Sequence, residues 1–178
     1  GFNRWHGNHK TGQGYSTPCT NYNCLKVPIY KGGAAQIAKM IRTVNPGGGT
    51  HLDSAMRIAS KYYKNTTYSP IDKNLDCQNS YVILIGDGDW FSHTHQRGLK
   101  IVKDLYNNEK IKTFSIAFGT GISANGYRYF QDVAKAGGTG KSIVATTGAS
   151  LTAQLKAKIG EIIACLLYTS PSPRDRSL

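Results

Sequence analysis

Two carboxylates stand where the chain turns out of its most apolar stretch. Tyr81-Val82-Ile83-Leu84-Ile85 is an unbroken apolar run, and Gly86-Asp87-Gly88-Asp89 closes it. Asp-Gly alone makes a turn. At the carboxyl end of a strand in an open α/β sheet, however, the same carboxylates occupy the position where ligands bind. Three other groupings carry potential chemistry. His93-Thr94-His95 has the look of a metal-ligand pair, but no third ligand lies in register, which favours a surface pair lining the ligand face. Gly138-Thr139-Gly140-Lys141-Ser142 resembles the end of a phosphate-binding loop. That loop needs a glycine where Lys135 stands and a helix after Ser142, whereas Ile143-Val144-Ala145 reads as strand. Thr50 follows a glycine run and is well placed as a helix N-cap, with Asp53 suited to the positive helix end. His51 reads as a helix-start residue, His6 and His9 lie in a polar loop, and Trp5 and Trp90 read as packing residues.

Composition narrows the classes. The chain has 178 residues, enough for one domain with a core, and no apolar run long enough to span a membrane. Its formal net charge is +12. The lysines are scattered over polar helix faces, and no basic run is interleaved with aromatics, so they read as a solvated surface with no nucleic-acid partner. Cys19 and Cys24 form a close pair in a polar loop, which suits a local disulfide in an exported protein rather than a zinc site. Cys77 can be free or can pair with either. Gly1 is not an initiator methionine, so the start reads as truncated and destination is not read from it.

The elements that must position these residues follow from periodicity. Gly1 to Trp5 reads as a strand end, His6 to Cys24 as loop, and Leu25 to Tyr30 as an edge or extended segment because of Pro28. A helix over Ala34 to Val44 turns Ile37, Met40, Ile41 and Val44 inward, and Asn45-Pro46-Gly47-Gly48-Gly49 stops it. A second helix opens at Thr50, with Leu52, Ala55, Met56, Ala59 and Tyr63 inward. The run 81–85, with no solvent face, predicts a central strand with parallel neighbours and helices on both faces. Trp90 to Thr94 reads as loop, Gln96 to Tyr106 as helix, Lys112 to Phe118 as strand, and Tyr127 to Ala136 as helix. Ser142 to Thr146 reads as a short strand and Leu151 to Ala164 as a helix with Leu151, Leu155, Ile159, Ile162 and Ile163 inward. Alternating strand and helix with right-handed crossovers predicts a three-layer α/β/α sandwich on a mainly parallel sheet. Residues 165–178 break this pattern. Cys165 to Asp175 resembles the translated read-through of a sequencing adapter, and the stretch is set apart as a non-native tail expected to pack against nothing.

Pro46-Gly47-Gly48-Gly49-Thr50, the strand ending Ile85-Gly86-Asp87-Gly88, and Thr113-Phe114-Ser115-Ile116-Ala117-Phe118-Gly119, in that order, resemble a von Willebrand factor A domain. Cys77-Gln78-Asn79-Ser80 before the strand, Leu105-Tyr106-Asn107-Asn108 and Ala134-Lys135-Ala136-Gly137-Gly138-Thr139 resemble, more narrowly, the A domain of PilY-type adhesins at type IV pilus tips. The resemblance covers roughly residues 32 to 164 and makes 1–164 a partial A domain with a loop-rich insertion and edge segment over 1–31.

That resemblance implies a metal-ion-dependent adhesion site, with no catalysis. Thr50 matches the threonine of the second metal loop and Asp87 the aspartate of the third, with Asp89 beside them as an outer residue or a turn. Mg2+, or Ca2+ or Mn2+ in its place, takes hard oxygen ligands, and an acidic side chain from a partner can complete its shell. The implied partners are a protein or cell-surface ligand, pilin subunits among them, and the implied location is the cell surface, pilus, periplasm or outer membrane. The family's first loop, Asp-x-Ser-x-Ser, occurs nowhere in this chain. The expectation is that the first strand and helix lie upstream of Gly1, leaving an incomplete site. Gly86 stands where the family commonly has threonine or serine. A sheet-edge position for Tyr81 to Ile85, or antiparallel pairing with Thr113 to Phe118, would sink the A-domain reading. The competing classes are a nucleotide-binding enzyme using Gly138 to Ser142 and a basic nucleic-acid binder.

Overall fold

Apolar runs at 81–86 and 112–118 pair as parallel strands because each can be covered on its broad faces by the helices that connect them. The computed structural model describes residues 2–3, 10–11, 14–15, 25–43, 50–72 and 78–169, with side chains over 25–43, 50–72 and 78–160. In chain order the strands are β1 (Phe2–Asn3), β2 (Lys10–Thr11), β3 (Gly14–Tyr15), β4 (Leu25–Val27), β5 (Tyr81–Gly86), β6 (Lys112–Phe118) and β7 (Ile143–Ala145). The helices are α1 (Gly33–Ile41), α2 (Leu52–Tyr63), α3 (Ser92–Glu109), α4 (Ala124–Ala136) and α5 (Gly148–Thr169). β5, β6 and β7 form a parallel sheet in that order, with Leu84 opposite Ser115 and Ile116 opposite Ile143. β1 pairs antiparallel with β4, and β2 with β3. The fold is α/β, with a parallel sheet and helices packed on it.

Register sorts the sheet's side chains. Leu84 and Ala117 face one side, where they join Leu52, Met56, Val102, Leu105, Phe130 and Val133 in one core. Helices α2, α3 and α4 therefore share that face. Phe130 is fully buried there, which contributes about 1.5–3 kcal/mol. Ile116, Ile143 and Ala145 point the other way and are buried too, and α5 packs on β7. The second face is thus covered at β6 and β7.

It is not covered at β5. Ile83 and Ile85 are 43% and 40% exposed, and among the described residues β5 is the terminal strand of its sheet. The expectation of a central strand with helices on both faces is overturned on that side. The physical reason is that an apolar run reports what the residues avoid and not which neighbour shields them. On its other side the expected parallel partner, β6, is present.

Smaller differences have local causes. α1, with β4 packed beside it, keeps Ile37 and Met40 half-buried but leaves Ile41 exposed; Val44 lies outside the described residues. α3 begins at Ser92 rather than Gln96, because the Thr94 amide and hydroxyl both donate to the Phe91 carbonyl, at 2.9 and 2.8 Å, and turn the chain early. It passes Asn107-Asn108 and stops at Lys110, whose left-handed backbone (φ 59°) lets its own N–H and that of buried Ile111 bond Leu105's carbonyl. α4 starts at Ala124 because Ser123 caps it, accepting from the Gly126 amide. α5 runs to Thr169, into the stretch set apart by sequence, and Ile159, expected inward, is 47% exposed while Leu151 and Leu155 are half-buried. Cys19, Cys24, Cys77 and Pro46 to Gly49 lie outside the described residues.

Candidate functional site

Parallel strands bring their carboxyl ends to one edge, and here β5, β6 and β7 deliver the loops 87–91, 119–123 and 146–147 there. The starts of α3, α4 and α5 follow those loops, so helix N-termini, with their positive ends, gather at that edge. α2 joins them where the Phe91 amide donates to the Thr50 carbonyl at 3.1 Å. Thr50 and Asp87 are therefore drawn to the same edge although they are far apart in sequence. Thr50 is half-buried, Asp87 is exposed, and no hydrogen bond or ion pair holds the Asp87 carboxylate among the described residues.

Thr50 is not the helix cap that its position suggests. The N-cap of α2 is His51, which makes no side-chain cap bond. The Leu52 amide instead donates to Thr94 Oγ1 at 3.2 Å, so a buried threonine from α3 satisfies the start of α2. The Thr50 hydroxyl is left outside the capping arrangement. Asp53, read as a helix-start residue, is buried. Its Oδ2 accepts from Arg97 Nε at 2.8 Å and lies 3.6 Å from Arg57, while Oδ1 has no partner among the described residues.

Asp89 is committed elsewhere. Its carboxylate accepts from the Ser123 hydroxyl and, at 3.3 Å, from the Ser123 amide. Ser123 Oγ in turn accepts from the Gly126 amide at 3.1 Å. The loop after β5 is thereby fastened to the N-terminus of α4, where a carboxylate is favoured by the helix dipole. Gly86 leaves room for Phe130, since a Cβ at Gly86 would lie 3.0 Å from that ring. A threonine or serine there would press on the core.

The histidines separate. His93 is exposed and forms a ring cluster with His51 and Phe91, T-shaped against His51 at 5.5 Å between centroids and tilted against Phe91 at 5.6 Å. That cluster flanks Thr50 at the mouth of the site. His95, expected at the surface, is 4% exposed. Trp90 Nε1 donates to its Nδ1 at 3.1 Å, and its Nε2 faces Asp132 Oδ2 at 3.1 Å. Tyr129 stacks on its ring at a centroid distance of 4.0 Å. Indole N–H can only donate, so Nδ1 carries a lone pair and Nε2 the proton. This buried relay holds Trp90, the residue next to Asp89, and nothing in the local sequence signals it.

Neither a family model nor a curated protein sequence matches this chain. What the site can do rests on its own chemistry. The oxygens of Thr50 and Asp87 suit a hard divalent cation in kind and fall short in number, because magnesium in an octahedron would keep most of its water. Among the described residues no group of three or more His, Cys, Asp or Glu is placed to hold a metal. The Gly138 to Ser142 loop leads into β7, at the opposite end of the sheet. Gln131 closes it, donating to the Gly140 carbonyl at 2.6 Å and accepting from the Ser142 amide at 3.2 Å. A phosphate cradle needs free amides at a helix start; here a strand follows. Among the described residues no helix is long and apolar enough to cross a membrane.

Proposed function

We propose that this chain is a metal-assisted binding module of the von Willebrand factor A type, from an exported protein associated with type IV pili. Thr50 and Asp87 are the residues that hold the ion, and an acidic side chain of a protein or cell-surface ligand completes its shell. The observation that carries this reading is the Phe91 to Thr50 bond, which fastens the start of α2 to the loop bearing Asp87. With no hydrogen bond or ion pair to Asp87 among the described residues, its carboxylate is available to a cation. Binding of this kind needs no nucleophile or general base.

The edge position of β5 counts against an intact domain of this type. It is compatible with one that lacks a neighbouring strand and the Asp-x-Ser-x-Ser loop such a strand would carry. The test is calorimetry with magnesium, calcium and manganese. The present chain should bind weakly or not at all. The chain joined to a strand–helix segment bearing Asp-x-Ser-x-Ser should bind tightly, and Asp87→Ala should abolish that binding. Tight binding that survives Asp87→Ala sinks the proposal, as does a joined chain that binds no cation.

A further inference from the structure

Helices α2 and α3 run side by side in the same direction. Asp53 meets Arg97 near their starts, and Lys64 meets Asp104 and Glu109 near their ends. Charge is divided unevenly along the seam between them. At its far end two carboxylates share the Lys64 ammonium. At its near end Arg57 and Lys61 of α2 and Arg97 and Lys100 of α3, all exposed, stand against the carboxylate of Asp53. Positions three and four apart share a helix face, so these cations follow one another along the seam.

Asp53 holds two of them side by side. It is buried, and its Oδ1 has no partner among the described residues, so both guanidiniums gather at Oδ2. Arg97 donates to Oδ2 through Nε at 2.8 Å, and its two terminal nitrogens make no hydrogen bond among the described residues. Arg57 stands at 3.6 Å, too far for a hydrogen bond, and its donors have no acceptor among the described residues. One cation neutralises Asp53, and the other is surplus. The Arg57 and Arg97 side chains are 47% and 58% exposed. Two like charges are therefore fixed together at the surface with most of their N–H donors unused.

We propose that this arginine pair is a carboxylate-binding site, and that its occupant is an acidic side chain of a protein partner. A carboxylate set between two guanidiniums relieves their repulsion and accepts from both forks. Nucleic acid fits less well, because a polyanion that followed the seam from the arginines would run onto Asp104 and Glu109. A short acidic segment ends before them. The pair adjoins the ion site proposed above. Asp53 lies in the first turn of α2, just after Thr50, and Arg97 lies one turn beyond His93, which flanks Thr50. Along α2, Thr50 and Arg57 are separated by roughly 10 Å, which about three residues of extended chain cover. One ligand can thus give one acid to the ion and a second to the arginines. That shared ligand rests on the metal reading; the arginine site does not.

The probe is the peptide Ser-Glu-Ser-Glu-Ser, blocked at both ends and titrated into the nitrogen-15-labelled chain at low salt in EDTA. The control peptide has glutamine for both glutamates. No free metal ion is present, so a negative result strikes the arginine site and leaves the metal reading to its own calorimetry. The acidic peptide should bind saturably and shift the Nε–H signals of Arg57 and Arg97 more than those of the other arginines, and the glutamine peptide should shift neither. Arg57→Lys and Arg97→Lys keep the net charge but lose a fork, so each should weaken binding at least about fivefold. Lys156→Gln removes a charge on α5, away from the seam, and should change the affinity less than about twofold. Circular dichroism checks that each variant is folded. Arg57 makes no hydrogen bond among the described residues, so Arg57→Lys decides the matter if Arg97→Lys unfolds the chain. No binding of the acidic peptide, equal binding of the two peptides, or parent-like affinity in either folded lysine variant overturns the proposal. A thymidine oligonucleotide that binds through the same arginines at least tenfold more tightly than the peptide would make nucleic acid the occupant and overturn it too.

Discussion

Gly98→Ala should destabilise the protein, although the same change in most helices stabilises it. Gly98 is buried inside α3, where alanine gains about 1 kcal/mol of helix propensity over glycine. A Cβ at that position would lie 2.6 Å from Leu52 Cδ2, 3.0 Å from Leu52 Cβ and closer still to Cγ. Ordinary carbon contacts are near 3.5–4.0 Å, so α2 must retreat by roughly an ångström at its first turn. Leu52 is fully buried and cannot swing into solvent. Overpacking of this kind costs about 1–3 kcal/mol. The retreat also stretches the 3.2 Å bond from the Leu52 amide to Thr94, a further loss of about 1 kcal/mol. The net expectation is a loss of about 1–3 kcal/mol, read as a lower urea midpoint at unchanged slope. Leu52→Ala alone should cost about 3–5 kcal/mol through its cavity. The double variant should cost at least 1 kcal/mol less than the two single costs together, since alanine at 98 refills that cavity. A Gly98→Ala protein as stable as the parent, or additive costs in the cycle, would refute the close crossing that holds Thr50 at the site.

Three other outcomes follow from named contacts. Burial, with Tyr62 beside it, pushes the Tyr63 phenol up from 10.0 to about 12. The folded state then keeps a proton that the unfolded chain loses, so stability is full below pH 10 and falls by about 2–3 kcal/mol as pH rises through 12. Denaturation across pH 9–12 should show that slope in the parent and not in Tyr63→Phe; parallel curves would refute it. Nitrogen-15 spectra should find His95 protonated on Nε2, and Trp90→Phe, which strips the donor from buried Nδ1, should cost about 1–3 kcal/mol; a proton on Nδ1 would overturn the relay. Gly126→Ala would put a Cβ onto Asp89 Oδ1 and 2.7 Å from Ile122 Cγ2. It should expel the carboxylate from α4 and lower stability, and by less in an Asp89→Ala background; an equal effect in both would show that Asp89 does not sit there.

Period and punctuation made most elements legible. The strand at 112–118 falls where alternation places it, and α4 ends where Gly137-Gly138 stops it. What stayed hidden depends on contacts between distant residues. Thr50 has the chemistry of an N-cap, but the start of α2 is satisfied from Thr94, 42 positions away. His93 and His95 look like a pair because a loop or strand would point both the same way. Once α3 begins at Ser92 they are separated by about 200° of helix, and one faces solvent while the other enters the core. Asp89 reads as a turn residue until Ser123 is brought beside it. Of the candidate site, the sequence order of Thr50 and Asp87 was visible, but the Phe91 bond that fastens Thr50 to the loop after β5 has no local signature.

The two edges of the main sheet differ in a way that bears on β5. β7 has three residues, follows directly on Lys141 and Ser142, and is covered by α5. Shortness, a flanking charge and a covering helix are the means by which natural sheets protect an edge from pairing. β5 is flanked by Asp87 but is six residues long, carries no charge or proline within it, and pairs with β6 in unbroken register. Two of its isoleucines are about 40% exposed, at 43% and 40%, on a face where a half-exposed strand would place polar residues. A sequence that ended its sheet at β5 would forgo about 1 kcal/mol of burial at each isoleucine and leave a pairing hazard open. The composition of β5 is that of a strand with neighbours on both sides, and among the described residues β6 is the strand that pairs with it.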